Sequence, residues 1–427
     1  MGHFDHCTPD QRFTITFPDM VHETGTKKVI IDWDQRRFIA VGTAWKEVDE
    51  DFFLCALAEH IDDIPSDVTR IEVGEHGELL KCITDPEEDQ TSIPFYPSPS
   101  DYPALVPQIR REQLVEISRM GVQVDLCEYA STPGLPPQQV AFKYYINEGN
   151  MAVVWDEGNC LLHMPKHPNI IQFHSLVVDQ IEGQEKVVGF TTPFIPGGTI
   201  EDNISRPFKL KHLRQLTSTI DYLNLELGIS HSDITLYNLL IDETTDNIII
   251  FDFNTVGRMG RDNDPARNDI KFTAFTLYEI ITRDTHLREE NYPEELDMPM
   301  VLNTPDWEKH EDVVLDAPVE EYRRHLDEWI ATRQADLGER AEEEKAGIPG
   351  GPNQPPNALD WPPLPELPYV LFVGTMLNVR AQIRRELVRN DMKFLTWQRP
   401  PSCELPLPEG KKLLATGEVV EMDYEVS

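Results

Sequence analysis

Two short polar turns on either side of a hairpin-like pattern constrain the fold of this chain more than any other feature. The first turn is His-Ser-Asp-Ile-Thr-Leu-Tyr-Asn at residues 231–238, and the second is Phe-Asp-Phe-Asn at 251–254. The residues between them run from apolar to polar and back to apolar, which predicts a β-hairpin. The two turns carry three oxygen-bearing side chains that suit proton transfer and a hard cation, namely Asp233, Asn238 and Asp252.

The balance of charged residues limits the partners that suit this protein. Its 427 residues include 38 basic and 75 acidic side chains, a formal net charge of −37. Such a field repels phosphate backbones and anionic lipids, so neither nucleic acid nor a membrane surface is an expected partner. Apolar residues make up 40% of the chain, enough to bury a sizeable core. We expect one large domain with smaller appendages.

The cysteines and the apolar runs indicate a protein of the cell interior. Six cysteines are scattered without a Cys-x-x-Cys pair, which fits reduced, buried thiols better than disulfides or a zinc site. The first residues lack the basic and apolar segments of a secretory signal. Apolar runs such as residues 369–373 are too short to span a bilayer. We expect a soluble protein of the cytoplasm or nucleus.

Proline-rich stretches divide the chain into predicted segments. Proline fixes φ and removes a donor, so a stretch crowded with prolines is expected to be an extended linker. The segments are a small α+β N-terminal extension at 1–84, a Pro-rich linker at 85–107, a central domain at 108–341, a Pro/Gly-rich linker at 342–368, and a C-terminal helical segment with an acidic tail at 369–427.

The two terminal segments contain predicted structure but no motif that carries chemistry. The N-terminal extension has strand patterns at 12–17, 28–33, 37–41, 69–73 and 79–83. One short helix is predicted from an apolar face of Phe52, Leu54, Cys55, Ala58 and Ile61. The C-terminal helix has a basic face with Arg380, Arg384, Arg385 and Arg389. We expect these arginines to pair with acidic surface of the same molecule; a docking site for an acidic partner protein is the alternative.

Further patterns precede the first polar turn. A strand-like run at 140–143 ends in Lys143, and Glu157 precedes an apolar run that leads to His-Pro-Asn at 167–169. Residues 189–194 predict another strand. An amphipathic helix then follows, with Leu213, Leu216, Ile220, Leu223 and Leu227 spaced three and four apart. Gly228 is expected to end this helix.

Taken in this order, the patterns resemble a protein kinase over roughly residues 112–333. The turn at 231–238 is similar to the kinase catalytic loop, and the turn at 251–254 is similar to the metal-binding Asp-Phe-Gly turn. The resemblance implies an α+β, two-lobed protein kinase-like fold, with a small β-rich N-lobe to about residue 195 and a helical C-lobe after it. It also implies ATP and Mg²⁺ as cofactors.

The resemblance assigns expected roles to particular residues. Asp233 would accept or orient the proton of the attacking hydroxyl, while Asn238 and Asp252 would hold Mg²⁺. Lys143 would reach the α- and β-phosphates, oriented by Glu157, for which Asp156 is a possible substitute. The expected nucleotide-binding positions are Lys143, Gly121 in a reduced glycine loop, and Thr192, Pro193, Phe194 and Ile195 around the adenine.

Several departures point to an atypical kinase. Ser232 replaces an arginine that usually pairs with a phosphorylated activation loop, and Thr235 replaces a lysine. In the second of these respects the loop is similar to the Rio kinases and the KEOPS-complex kinase, which carry Ser or Thr at that place. Asn254 stands where glycine is usual. This change is expected to do little harm, because Asn adopts left-handed backbone angles more readily than most residues. Asp269 follows Asp252 by only 17 positions, so the usual peptide platform is expected to be absent. The whole pattern also resembles a large group of fungal kinase-like proteins.

Three functions remain open from these observations. The first is a Mg·ATP-dependent phosphotransferase of atypical protein kinase type, acting on Ser/Thr hydroxyls. The second is a weak or inactive pseudokinase that serves as an interaction scaffold, because the glycine loop is depleted and both terminal segments are additional. The third is a small-molecule kinase, because the peptide platform is missing. The acceptor would thus be a protein or a small molecule, and a protein partner could bind the N- or C-terminal extension.

Overall fold

The computed structural model is a mixed α+β structure. It describes residues 3–16, 20–22, 25–91, 94–130, 136–181, 183–345, 355, 357–365, 373–390 and 395–422. The helices are α1 Pro9–Arg12, α2 Glu50–Ala58, α3 Met151–His163, α4 Leu210–Asp221, α5 Asp269–Thr282, α6 His286–Glu290, α7 Pro299–Leu302, α8 Val319–Lys345 and α9 Val373–Arg389.

Most of the described strands form two large sheets. They are β1 Phe13–Ile15, β2 Met20–His22, β3 Gly25–Asp32, β4 Arg37–Thr43, β5 Arg70–Val73, β6 Leu79–Ile83, β7 Gln108–Arg110, β8 Val115–Gly121, β9 Val124–Tyr129, β10 Gln138–Tyr144, β11 Ser175–Ile181, β12 Gln184–Pro193, β13 Ile229–Ser230, β14 Leu239–Asp242, β15 Asn247–Ile250, β16 Gly257–Arg258, β17 Lys411–Leu413 and β18 Val419–Glu421.

The chain forms two compact units. Unit 1 comprises Met1–Val154, His174–Phe194 and Pro365–Ser427, and unit 2 comprises Trp155–Phe173 and Ile195–Leu364. The C-terminal segment therefore belongs to the same unit as the N-terminal extension. Residues 346–354, 356 and 366–368 of the predicted linker at 342–368 lie outside the described residues, as do residues 369–372 of the apolar run.

The first sheet of unit 1 contains the strands predicted in the N-terminal extension. Its order is β1-β3-β4-β5-β6, with β2 also paired to β3. Helix α2 packs its apolar side on this sheet, and Phe53 and Leu57 are completely buried there. The predicted helix is confirmed, but its predicted face was partly wrong because Cys55 is exposed. The buried face also includes Leu54 and Ala56.

The second sheet of unit 1 has the order β7-β11-β12-β10-β9-β8. Strand β10 contains the predicted strand at 140–143 and lies between β9 and β12, which places Lys143 opposite Val124 and Phe190. The Pro-rich stretch runs along this sheet, where Val187 N donates to the Pro97 carbonyl over 2.9 Å. Leu176 N donates in the same way to Pro107, also over 2.9 Å.

The basic face of α9 contacts acidic residues of unit 1. Arg384 pairs with Asp89, Arg389 pairs with Glu87, and Arg385 donates to the Glu87 carbonyl. The prediction of pairing with acidic residues of the same molecule is therefore confirmed for Arg384 and Arg389. The Arg380 side chain lies outside the described residues.

A buried ionic cluster joins three distant segments of unit 1. Arg399 lies 2.7 Å from Glu116 and 2.9 Å from Asp125, and Arg119 lies 2.5 Å from Asp34. Arg36 also pairs with Glu116 and Asp125. Burial favours the neutral form of Glu116, but three arginines outweigh that effect and lower the pKa of Glu116 to about 2. The buried ionic cluster comprises Asp34, Arg36, Glu116, Arg119, Asp125 and Arg399, all nearly inaccessible to solvent.

Unit 2 is mainly helical around a short hairpin. Helix α4 continues as a π-helical turn at Tyr222–Glu226, and all five residues of its predicted apolar face are buried. Gly228 follows with φ +67°, the left-handed conformation expected of a residue that ends a helix. Strands β14 and β15 form the predicted hairpin, in which Leu239 pairs with Ile250. Helix α5 begins at Asp269, capped by the Asn268 side chain.

Candidate active site

The first polar turn lies between β13 and β14, and Asn238 fixes the position of Asp233 within it. Asn238 Nδ2 donates to the Asp233 carbonyl over 2.9 Å and to Asp233 Oδ2 over 2.7 Å. Asp233 is partly open to solvent, since its side chain is 28% exposed. The carboxylate is thus held by one oxygen and remains accessible, as a group that accepts a proton from a substrate must be.

Asp269 fastens the backbone of this turn to helix α5. Its carboxylate oxygens accept from the backbone N–H of Ser232 over 2.7 Å and of His231 over 2.9 Å. The side chain of Asn224 donates to the same carboxylate over 2.8 Å. Ser232 is fully buried and has φ +66°, a conformation that a non-glycine residue keeps only when surrounding bonds hold it. Asp269 supplies those bonds.

The second polar turn is joined to the first by hydrogen bonds. Phe251 N donates to the Asn238 carbonyl over 3.2 Å, and His231 Nε2 lies 2.9 Å from the Phe251 carbonyl. Asp252 has φ +65°, so the left-handed residue of this turn is Asp252. Asn254 does not have a positive φ, so the left-handed conformation that Asn tolerates is not needed at this position. Asn254 instead donates to Asp252 Oδ2 over 3.2 Å.

The structure distinguishes the two carboxylates considered on α3. Glu157 is buried, and its Oε1 accepts from the backbone N–H of Phe253 over 3.1 Å. Asp156 accepts from the indole of Trp361 over 2.8 Å. Glu157 therefore supports the turn that carries Asp252, and Asp156 does not.

The other predicted site residues are divided between the units. Unit 1 contains Lys143 on β10, Gly121 at the β8–β9 turn, and Thr192 and Pro193 at the end of β12. Phe194 follows them, with its N–H donating to Gln139. Ile195 belongs to unit 2. Unit 2 thus brings together Asp233, Asn238, Asp252 and Glu157.

The donor set in unit 2 suits Mg²⁺ completed by phosphate oxygens. Across the described residues, no three His, Cys, Asp or Glu side chains gather in a group that could hold a metal ion alone. Mg²⁺ in nucleotide sites usually takes only one or two protein oxygens and fills the rest with water and phosphate. Asp252 supplies one carboxylate. Asn238 uses its amide nitrogen to bond Asp233, so its amide oxygen would be the atom that binds the cation.

A cavity of about 480 Å³ opens beside Asp233 within unit 2. Its lining includes Asp233, Thr235, Arg267, Arg288, Tyr292 and Leu296. Arg267 Nη1 lies 3.5 Å from Asp233 Oδ1. The sequence reasoning did not find this cavity or its two arginines. The position of Arg267 next to Asn268 and Asp269, which open α5, is the signal that could have indicated it.

Arg288 also lines this cavity and supports the first polar turn. It donates to the Ile234 carbonyl over 3.2 Å and to Phe272 over 2.8 Å, and its Nε lies 2.7 Å from Glu279. Burial raises the pKa of Glu279 to about 7, against the opposing effect of Arg288. Arg288 is therefore committed to structure and is not available to a ligand.

A larger cavity of about 860 Å³ lies in unit 1 between β8 and the C-terminal segment. Its lining contains none of the predicted catalytic, nucleotide-binding or metal-binding residues.

In the part of the chain that is described, no helix has both the length and the apolar character needed to cross a membrane. Comparison with models of known protein families finds no match, and comparison with curated proteins finds no relative.

Proposed function

We propose that this protein is a Mg·ATP-dependent phosphotransferase with a two-lobed protein kinase-like fold of atypical type. The observation that carries the proposal is the bonded pair of turns that holds Asp233, Asn238 and Asp252 in unit 2. A proton acceptor and two oxygen ligands on one rigid framework are the groups that phosphoryl transfer requires.

In the proposed reaction, Asp233 accepts the proton of the attacking hydroxyl. The acceptor oxygen forms a bond to the γ-phosphorus while the bond between that phosphorus and the β–γ bridging oxygen breaks, and ADP leaves. Asn238 and Asp252 would hold Mg²⁺, which neutralises charge on the phosphates. Lys143 would bind the α- and β-phosphates. Glu157 would support the Asp252 turn through its bond to Phe253 N.

The acceptor is proposed to be a hydroxyl group, either a Ser/Thr side chain or part of a small molecule. The cavity beside Asp233 favours the small molecule, since about 480 Å³ is within the range of small-ligand sites. Panels of peptides and of hydroxyl-bearing metabolites would separate the two, with transfer to only one panel expected.

Label transfer from [γ-³²P]ATP tests the proposed function. The wild-type chain with Mg²⁺ should release or transfer the label, and Asp233→Asn should reduce this by on the order of 10³-fold. Asp312→Asn is the matched control, because this carboxylate is 58% exposed and pairs with His310 in the same loop. Equal turnover in wild type and Asp233→Asn would refute the proposal.

The pseudokinase alternative predicts a different pair of results. A scaffold that only binds nucleotide would be stabilised by about 2.7 kcal/mol at 100 times the dissociation constant, yet it would show no turnover. Melting curves with and without Mg·ATP, measured beside the transfer assay, therefore separate an enzyme from a binding protein.

A further inference from the structure

We infer that Arg267 supplies the positive charge that stabilises the transferring phosphoryl group. The inference rests on the proposed function and adds a catalytic residue to it. Phosphoryl transfer places negative charge on the equatorial oxygens of the phosphoryl group, and an arginine provided by the same chain can neutralise that charge. The bidentate guanidinium matches phosphate geometry.

The catalytic turn itself offers no cation for this task. Thr235, two positions after Asp233, is uncharged. Arg267 lies on a different segment and lines the same cavity as Asp233 and Thr235. Its Nη1 reaches to 3.5 Å from Asp233 Oδ1, so its charge lies where the acceptor oxygen and the phosphoryl group would meet.

The other cations near this cavity are committed to structural bonds. Arg288 is bonded to Glu279 and to backbone carbonyls of the catalytic turn and α5. Lys271 donates to the Pro293 carbonyl over 2.7 Å and to Leu296 over 3.1 Å. Arg267 instead has two long ion pairs, 3.5 Å to Asp233 and 3.8 Å to Asp264, and its side chain is 34% exposed. It can exchange these partners for phosphate at small cost.

The backbone of Arg267 is fixed relative to Asp233. Its N–H donates to the Asp264 carbonyl over 3.1 Å, the next residue caps α5, and Asp269 holds the catalytic turn. A guanidinium on such a frame is oriented before the substrate arrives, which is the condition for strong electrostatic stabilisation of a transition state.

The experiment compares Arg267→Gln, Arg267→Lys and the control Arg261→Gln in the full chain. Arg261 is 59% exposed and pairs with Asp360. We expect Arg267→Gln to lower kcat for ATP hydrolysis on the order of 10³-fold with little change in KM. Arg267→Lys should recover part of the loss, and the control should match wild type. Melting temperatures verify that each variant is folded.

Binding of a phosphoryl mimic gives a readout that is independent of turnover. Wild type should bind Mg·ADP more tightly when aluminium fluoride is added. In Arg267→Gln this increase in affinity should be smaller by about tenfold or more. The affinity of Arg267→Gln for Mg·ADP alone should equal that of wild type. An unchanged gain in Arg267→Gln would overturn the inference while turnover by wild type upheld the proposed function. No turnover in any form, together with no binding of Mg·ADP, would contradict both.

Discussion

The two polar turns of unit 2, which carry Asp233 and Asp252, and the buried ionic cluster of unit 1 are both dense polar networks, but they are built in different ways. The turns draw Asp233, Asn238 and Asp252 from residues 231–254, and Glu157, Asp269 and Arg288 support them from outside that range. The buried ionic cluster joins residues as far apart as Asp34 and Arg399. The turns leave Asp233 partly open to solvent, whereas the cluster excludes solvent from every member. The first arrangement suits chemistry and the second holds distant segments together.

The largest effect on ATP turnover is expected from a change in the second polar turn, which carries Asp252. Asp252→Asn removes the carboxylate that is proposed to hold Mg²⁺ while keeping the size of the side chain, so ATP turnover should fall by on the order of 10³-fold. The melting temperature should change little. A coupled assay for ADP release, run beside a thermal melt, measures both. Retained turnover would remove Asp252 from the proposed chemistry.

Breaking the buried ionic cluster should mainly lower the stability of the fold. Arg399→Met leaves Glu116 and Asp125 with less compensating charge in a site closed to solvent. Losing one partner of a buried ion pair costs about 3–5 kcal/mol. Chemical denaturation should therefore show a large loss in the free energy of unfolding. A loss below about 1 kcal/mol would mean that the cluster does not hold unit 1 together.

The buried ionic cluster should also make the fold sensitive to acid. The pKa of Glu116 is lowered from 4.5 to about 2 in the folded protein. The stability that this shift provides is present above pH 4.5 and is lost as the pH falls towards 2. The loss is on the order of 3 kcal/mol, at 1.36 kcal/mol for each pKa unit. Denaturation curves at pH 7, 4.5 and 3 should show this fall, and Glu116→Gln should show a shallower one.

Asp269→Asn should affect stability and turnover together. In the wild type, both carboxylate oxygens of Asp269 accept a backbone N–H of the first polar turn. The amide nitrogen of Asn cannot accept, so one of these N–H groups loses its partner, at a cost of about 2 kcal/mol. Because the same bonds position Asp233, turnover should also fall. A variant that lost stability but kept full turnover would show that the turn holds its shape without α5.

The smallest effect is expected on the exposed face of α9. Arg389→Met makes the same chemical change as Arg399→Met, but Arg389 is half exposed beside Glu87. Exposed ion pairs contribute little, so the melting temperature should stay within about 1 °C of wild type. A drop as large as that of Arg399→Met would show that burial is not what separates the two regions.

The same contrast explains which features could be predicted from sequence. The hairpin β14–β15, the helix α4 and the placement of Asn238 beside Asp233 follow from local patterns, because each needs only neighbouring residues. The face of α2 was partly misassigned, since the sheet that covers it decides which side is buried. No local pattern could pair Arg399 with Asp125, because that contact depends on where a distant segment folds back.

The cavity beside Asp233 was missed for a related reason. Its lining comes from the first polar turn, from α5 and from residues 288–296. Residues 288–296 contain no sequence motif. Arg267 differs from Arg261 in its surroundings and not in any local signal. Contacts that depend on a shared cavity therefore required the structure, whereas the hairpin between the two polar turns did not.

The most direct test of the central claim is a ³¹P NMR time course of Mg·ATP with the full chain. We predict that the γ-phosphate resonance decays and the ADP resonances grow with wild type, and that both changes stop when Mg²⁺ is removed or Asp252→Asn is used. A spectrum that stays unchanged with wild type, or changes equally fast with Asp252→Asn, would contradict the assignment of these turns to phosphoryl transfer.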